Sequence, residues 1–423
     1  MKLMVIGGGG REHAIIKKLK ENPNVTEIYA LPGNGGIAAD AQCVNIGAKD
    51  IPAQVEFAKA NGIDYAVVAP DDPLALGAVD ALTEAGIPCF GPDAKAAIIE
   101  SSKAFSKDLM KKYGIPTAAY ETFTDAASAE AYLDTVSAPI VVKADGLALG
   151  KGVIIAQTIE EAKEAVRSMM EDKVFGASGD KIVIEEFLTG PEVSVLSFTD
   201  GETVIPMVSS MDHKRAGDGD TGLNTGGMGT VAPNPYYTAE IAEQCMREIF
   251  LPTMAAMNAE GRTFRGCLYF GLMLTKDGPK VIEYNCRFGD PETQVVLPLL
   301  ESDLFTVMRA VTEGKLAETE VLFSDKYACC VILASKGYPG SYEKGFPLDI
   351  PEEIEKQVYV AGAKMQDGVP VTDGGRIAGC TAVADSLEEA IRKAYQIAEQ
   401  VHFENAYCRR DIGQRALQAR KEQ

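Results

Sequence analysis

Val281-Ile282-Glu283-Tyr284-Asn285-Cys286-Arg287-Phe288-Gly289-Asp290-Pro291-Glu292 is the stretch from which the rest of the chain is read. Side chains alternate between the faces of a strand. With Val281–Asn285 extended, Ile282 and Tyr284 point into a core, while Glu283, Asn285 and Arg287 share the other face. A carboxylate and an amide oxygen two residues apart suit a hard cation such as Mg2+, which keeps some waters and also holds phosphate oxygens. Arg287 adds a planar fork for a carboxylate or phosphate, and Asp290 and Glu292 follow in a Gly/Pro turn. The plain alternative is an edge strand with a solvated polar face. Polar groups this dense between apolar runs favour a metal–phosphate site.

The surrounding chain has 423 residues, too many for one core, so about two to four domains are expected. A hydrophobic fraction of 46% and a charged fraction of 24% are those of an ordinary soluble globular protein. No apolar run is long enough to span a bilayer. Met1–Ile6 passes straight into glycines, which reads as a buried first strand and not a signal peptide. Nine cysteines at irregular spacings, without a Cys-x-x-Cys pair, imply reduced, buried thiols in the cytoplasm. A net charge of −20 excludes nucleic acid as the expected partner and makes each basic cluster more informative.

Residues 1–100 alternate strand and helix patterns: Leu3–Ile6, a helix from about Arg11, Thr26–Leu31, Tyr65–Ala69, a helix to Glu84, and a strand from Pro88. Such alternation means a doubly wound parallel sheet with ligands outside the carboxyl ends of its strands. From Lys103 the pattern becomes α+β with a strong antiparallel component. It has a helix at Lys103–Tyr113, strands at Pro139–Lys143, Val153–Ala156, Lys181–Phe187 and Glu192–Phe198, and a helix begun by Thr158. Residues 211–235 are glycine-rich with little periodicity, and a loop this long in a compact protein is functional or disordered. A helix at Ala239–Asn258 and strands Cys267–Leu274 and Lys280–Asn285 complete the centre. After Phe323 comes a smaller α/β unit with strand Tyr327–Ala334 and helix Ser386–Val401. There is no internal repeat.

Four further constellations carry chemistry. Gly7–Gly10 with Arg11 is not a dinucleotide fingerprint, because Glu12 or His13 stands where the third glycine belongs and the second strand lacks a terminal acid. That argues against a nicotinamide oxidoreductase. Exposed N–H groups of Gly8, Gly9 and Gly10 at a helix start still attract a phosphate, or else form a plain tight turn. Lys143–Gly152 lacks a Walker ending; Lys143 projects toward phosphates, and Gly146, Gly150 and Gly152 make a flap that carries Lys151, with a simple flexible hairpin as the alternative. Glu185-Glu186-Phe187-Leu188 with Glu192 suits a nucleoside, weakly by itself. Asp212-His213-Lys214-Arg215 puts two cations beside a histidine in an acidic chain, which favours an anionic substrate over a solvated charge run.

Taken in order, Gly7–Ala14, Pro32–Asn34, Ser102–Phe105, Lys143–Gly152, Glu185–Leu188, Asp212–Arg215, Asn224–Gly229, Glu283–Glu292, Gly337–Gly340 and Cys408–Gly413 resemble the phosphoribosylamine–glycine ligases of the ATP-grasp superfamily, over the whole length. The resemblance implies an N-terminal Rossmann-like domain over 1–102, an ATP-grasp domain over 103–325 with a lid subdomain at about 118–190, and a C-terminal domain over 326–423. It implies ligation of glycine to 5-phosphoribosylamine with ATP, through glycyl phosphate, in purine biosynthesis. Lys103, Lys143, Gly150, Gly152, Glu185, Glu186, Leu188 and Glu192 would bind ATP, and Glu283 and Asn285 would hold Mg2+ or Mn2+. Arg287, Asp290, Lys151 and Lys214 would be catalytic. Gly8, Gly9, Gly10, Arg11, Asn34, Asp71, Asp212, His213, Arg215, Asn224, Gly226 and Gly227 would meet the substrates.

Two departures stand out. Pro70-Asp71-Asp72-Pro73-Leu74 has Asp71 where the family pattern has Glu, and Tyr269–Met273 lacks an acidic metal ligand, leaving Glu283 and Asn285 as the protein ligands. The partners implied are small molecules, with no nucleic acid and no membrane, for a monomer or weak homodimer in the cytoplasm. The end of the chain soon after Gly413 implies a single activity. The rival readings are a related ATP-grasp ligase or carboxylase acting through another acyl phosphate, and a nucleotide sensor without turnover.

Overall fold

The structure, a computed structural model, describes residues 1–148 and 151–422. Strands β1 (Lys2–Gly7), β2 (Glu27–Pro32), β3 (Gln42–Cys43), β4 (Tyr65–Val68) and β5 (Cys89–Phe90) form a parallel sheet in the order β3-β2-β1-β4-β5. Leu3 and Val5 pack into one hydrophobic cluster and Met4 and Ile6 into another, so β1 is buried on both faces, as a doubly wound sheet requires. The glycine turn after β1 and the Pro70–Asp71 turn after β4 lie at the carboxyl ends, where the sequence puts a ligand.

A second sheet follows the helix Lys103–Tyr113, whose first turn is capped by Ser102. It contains β6 (Tyr120–Phe123), β7 (Ile140–Ala144), β8 (Val153–Ala156) and β9 (Ile182–Glu186), in the order β6-β9-β7-β8 and antiparallel throughout. Ile140, Val142, Ile182 and Ile184 pack on Val166 and Met169 of the Thr158-capped helix Ile159–Met170. The alternation therefore turns Lys143 and Glu185 to the other face.

The chain continues as β10 (Glu192–Thr199) and β11 (Val204–Pro206), and passes through the short strands β12 (Met211–Asp212), β13 (Arg215–Gly217), β14 (Thr221–Asn224) and β15 (Gly229–Ala232). It returns as β16 (Gly266–Thr275) and β17 (Gly278–Asn285) to make the antiparallel sheet β11-β10-β16-β17. The glycine-rich stretch expected to lack periodicity is thus built from two-to-four-residue strands, too short to show a pattern. Between β15 and β16, residues 239–259 are helical throughout, with one wide turn at Met246–Phe250 just before Pro252. Proline has no N–H for a regular helical bond, and the widened turn absorbs it. One hydrophobic cluster joins Met4 and Ile6 of the first sheet to Phe250, Phe270 and Val281, so the first two units share a core.

The last unit contributes β18 (Tyr327–Ser335), β19 (Val358–Val360), the hairpin β20 (Ala363–Gln366) and β21 (Val369–Thr372), β22 (Arg376–Ala384) and β23 (Ala406–Tyr407). Its sheet runs β12-β15-β18-β22-β19, so β15 of the central region is stitched directly to β18. The β20–β21 hairpin escapes the sequence reading. Its signal is Asp367-Gly368, both at positive φ, a pair suited to a two-residue turn. Seven of the nine cysteines are buried, with Cys43 exposed and Cys408 half-buried, and all nine are free thiols.

Candidate active site

The deciding strand carries a bulge. Leu272 pairs with Val281 and Gly271 with Glu283, leaving Ile282 as an extra residue. Val281, not Ile282, therefore enters the core, which corrects the simple alternation. The bulge also exposes the Ile282 carbonyl, which accepts a hydrogen bond from Lys143 Nζ at 3.3 Å. Glu283 and Asn285 remain on one face. Burial raises the Glu283 pKa, but Lys214, Lys143, Lys103 and Arg287 outweigh it and hold the carboxylate below its usual range. Among the described residues no side chain hydrogen-bonds or pairs with that carboxylate directly. A charged acid ringed by cations yet bonded to none of them fits a divalent cation, with the Asn285 oxygen beside it. Gly271 stands opposite, and a Cβ there would lie 3.1 Å from Glu283 Cγ.

Lys143 also pairs with Glu185 at 3.0 Å, and Glu185 in turn holds Lys107 at 3.3 Å. Lys107 is a site neighbour that sequence reasoning missed, since a lysine inside a helix carries no signal of burial. Lys103 donates to the Gly146 carbonyl at 3.1 Å, and Asp145 accepts from Ala104 N at 2.7 Å, so the start of the glycine loop is pinned to the helix Lys103–Tyr113. Glu186 is exposed at the end of β9, Glu192 is exposed at the start of β10, and Phe187-Leu188 link the two. Lys151 is exposed, and Gly152 accepts from Ala144 N at 2.8 Å. Gly150 lies outside the described residues.

Arg287 Nη2 bonds Glu100 Oε1 at 2.9 Å and Asn285 Oδ1 at 3.3 Å, while its buried Nε has no partner among the described residues. Glu100, another residue the sequence did not flag, has a raised pKa from burial, opposed by Arg287. Asp71 is close enough to act electrostatically on both. The glycine turn is more occupied than expected. Gly9 N donates to Glu12 Oε2 at 2.8 Å and Arg11 N to Asp290 Oδ2 at 3.1 Å. The Arg11 guanidinium is turned onto Glu12 at 2.8 Å and the Phe288 carbonyl at 3.2 Å. Burial raises the Asp290 pKa, but Arg376 and Arg11 overcome it and keep the acid ionised. Gly10 packs on Gln294, leaving no room for a side chain. Asn34 spends its side chain inside the fold: Nδ2 donates to Gly8 O and Val360 O, and Oδ1 accepts from Gly36 N and Ile37 N. Gly8, Gly9, Asn34 and Asp290 line a cavity of about 400 Å3 whose other wall includes Tyr338, Gly362 and Arg376. Gly362 and Arg376 were missed because they lie far along the chain, and Tyr338 lies in a quoted motif to which no role was given.

Asp212 is bridged by Lys214 at 3.1 Å, and Lys214 is close enough to act electrostatically on Glu283. His213 differs from its expected role. It is buried, its Nδ1 bonds the Gly229 carbonyl at 2.9 Å, and its Nε2 accepts from Gly413 N at 3.1 Å, leaving neither nitrogen for a substrate. Arg215 bonds the Gly222 carbonyl at 2.8 Å within the β13–β14 hairpin, where Asn224 is exposed. Gly226 and Gly227 serve close packing: a Cβ on Gly227 would lie 2.7 Å from Asp212, and one on Gly226 2.9 Å from the Arg376 guanidinium. Next to them Tyr269 donates to the buried Glu292 at 3.1 Å.

The biotin carboxylase domain of Hydrogenobacter thermophilus 2-oxoglutarate carboxylase has the same fold, with a TM-score of 0.74 at 16% identity over 96% of this chain and 91% of that one. The antiparallel sheets that carry Lys143, Glu283 and Asn285 fall within a match to an ATP-grasp (A) domain over residues 101–293, which makes this an ATP-grasp enzyme. The phosphoribosylglycinamide synthetase N domain matches residues 1–100, its ATP-grasp (A) domain 101–293, and its C domain 328–415. The chain belongs to the phosphoribosylglycinamide synthetase family. It is 49% identical to the phosphoribosylamine–glycine ligase of Vibrio cholerae serotype O1, with 99% of each chain covered. The crystal structure of the Thermotoga maritima phosphoribosylamine–glycine ligase superposes with a TM-score of 0.86 at 35% identity, over 97% of this chain and 100% of that one.

Proposed function

We propose that the protein joins glycine to 5-phosphoribosylamine with ATP, giving N1-(5-phosphoribosyl)glycinamide, ADP and phosphate, in purine biosynthesis. The observation that carries this reading is the Glu283 carboxylate, on the same strand as Asn285, surrounded by Lys214, Lys143, Lys103 and Arg287 and bonded to none of them among the described residues. Lys103 and Lys143 bind ATP phosphates, the backbone at Glu186–Leu188 reads adenine, and Glu192 takes the ribose. Glu283 and Asn285 would hold Mg2+ or Mn2+, which would neutralise charge on the transferring phosphoryl group. Arg287 receives the glycine carboxylate. The cavity bounded by Gly8, Gly9 and Arg376 takes the phosphorylated sugar, with Asp71 on the side of Arg287.

A glycine carboxylate oxygen attacks the γ-phosphorus as the bond to ADP breaks. The amine then attacks the acyl carbon, loses a proton, and expels phosphate. Positioning and electrostatics do this work without a side-chain nucleophile. Lys151 and the glycine loop shield the acyl phosphate from water. Phosphorylated substrates do not cross membranes unaided, so the reaction belongs in the cytoplasm, carried out by a monomer or weak homodimer. ADP release with glycine, and with phosphoribosylamine generated from ribose 5-phosphate and ammonia, tests the reading. Release that needs all three substrates supports it; release indifferent to glycine contradicts it.

A further inference from the structure

The motif Gly7–His13 leaves His13 without a task. Its ring is buried where the first helix, Gly10–Leu19, meets the last unit. Val360, 347 positions away, donates its main-chain N–H to Nδ1 at 2.8 Å. A main-chain amide can only donate, so Nδ1 is the unprotonated nitrogen and Nε2 carries the hydrogen. Nε2 then donates to Asp40 Oδ2 at 2.8 Å, and Lys20 holds the other oxygen of Asp40 at 2.7 Å. Burial lowers the ring's pKa, with Asp40 opposing, and favours the neutral form that this geometry needs.

The segment around Val360 is gripped at several points. Asn34 Nδ2 donates to Val360 O at 2.7 Å, Lys17 Nζ to Val358 O at 2.8 Å, and Gly35 N to Ala363 O at 2.8 Å. Glycines permit the approach: a Cβ on Gly36 would lie 2.2 Å from Val360 Cβ, and one on Gly35 2.9 Å from the Lys364 backbone. Ala361, Gly362 and Ala363 then form one wall of the 400 Å3 cavity that faces Gly8 and Gly9.

We propose that His13 is a positioning residue: its Nδ1 holds Val360, and with it the Ala361–Ala363 wall, at the distance from the glycine turn that the phosphorylated sugar requires. The inference rests on the reading of this cavity as the sugar site. Two variants separate the ring's two bonds. His13→Asn keeps an acceptor near Nδ1, whereas His13→Gln reaches Asp40 and loses the acceptor. The Gln variant raises KM for phosphoribosylamine about tenfold, the cost of one lost buried hydrogen bond, with kcat and KM for ATP and glycine unchanged; the Asn variant restores it. Hydrogen exchange supplies a second arm, in which the Val360 amide is protected in the native chain and released in the Gln variant. An unchanged KM in the Gln variant, an equal rise in all three KM values, or an unprotected native Val360 amide overturns the proposal. Native turnover indifferent to phosphoribosylamine would sink the cavity reading, while the exchange arm would still test the clasp.

Discussion

Replacing Lys107 by Met removes an ammonium that is 2% exposed and leaves its apolar stem. Its Nζ lies 2.7 Å from Thr117 Oγ1 and 3.3 Å from Glu185 Oε2. Burial, opposed by Glu185, pushes its pKa down from the ordinary 10.5 to about 8. That gap corresponds to roughly 3 kcal/mol in favour of the neutral amine in the folded state. Below about 8 both folded and unfolded chains hold the proton, and the folded chain bears the whole cost. Between about 8 and 10.5 only the unfolded chain holds it, so this residue's contribution to stability rises with pH. Urea unfolding of native and Lys107→Met proteins at a series of pH values reads this directly. The native-minus-variant difference should climb by about 1 kcal/mol per pH unit through that window. A difference independent of pH would refute the assignment of a buried, titrating ammonium.

Gly271→Ala puts a Cβ 3.1 Å from Glu283 Cγ and displaces the carboxylate; kcat should fall about a hundredfold with an unchanged melting temperature. Burial lowers the His213 pKa to about 4, so its share of stability is complete above the ordinary value of 6.5 and is lost as pH falls toward 4. His213→Gln should flatten that part of the acid-unfolding curve while leaving substrate KM values near native. Arg409 is buried and paired with Asp411 at 2.8 Å and Asp220 at 3.0 Å, both partly exposed, so Arg409→Ala should cost about 1–3 kcal/mol of stability, measured by denaturant unfolding.

The ATP-grasp architecture is legible in the chain because its long strands announce themselves by apolar runs: Leu3–Ile6, Cys267–Leu274 and Tyr327–Ala334 all lie within the strands found. That Glu283 and Asn285 share one strand face was legible because two polar residues at strand spacing interrupt such a run. What escaped is set by tertiary contact. The bulge at Ile282 depends on pairing with β16, and nothing local signals it. Lys107 and Glu100 sit in ordinary helical sequence and gain meaning only from Glu185 and Arg287. His213 looked like part of a substrate loop, but the last unit supplies Gly413, which occupies its ring. Arg376 and Gly362 line the cavity with the glycine turn from far along the chain, beyond any spacing rule.

The central claim is that a glycine carboxylate oxygen becomes bonded to phosphorus before the amide forms. Glycine labelled with 18O in its carboxylate, turned over with Mg-ATP and phosphoribosylamine, tests this most directly by mass spectrometry of the phosphate released. Glycyl phosphate predicts one 18O transferred to each inorganic phosphate and one retained in the amide carbonyl. Phosphate free of label, with the product still formed, would contradict the account.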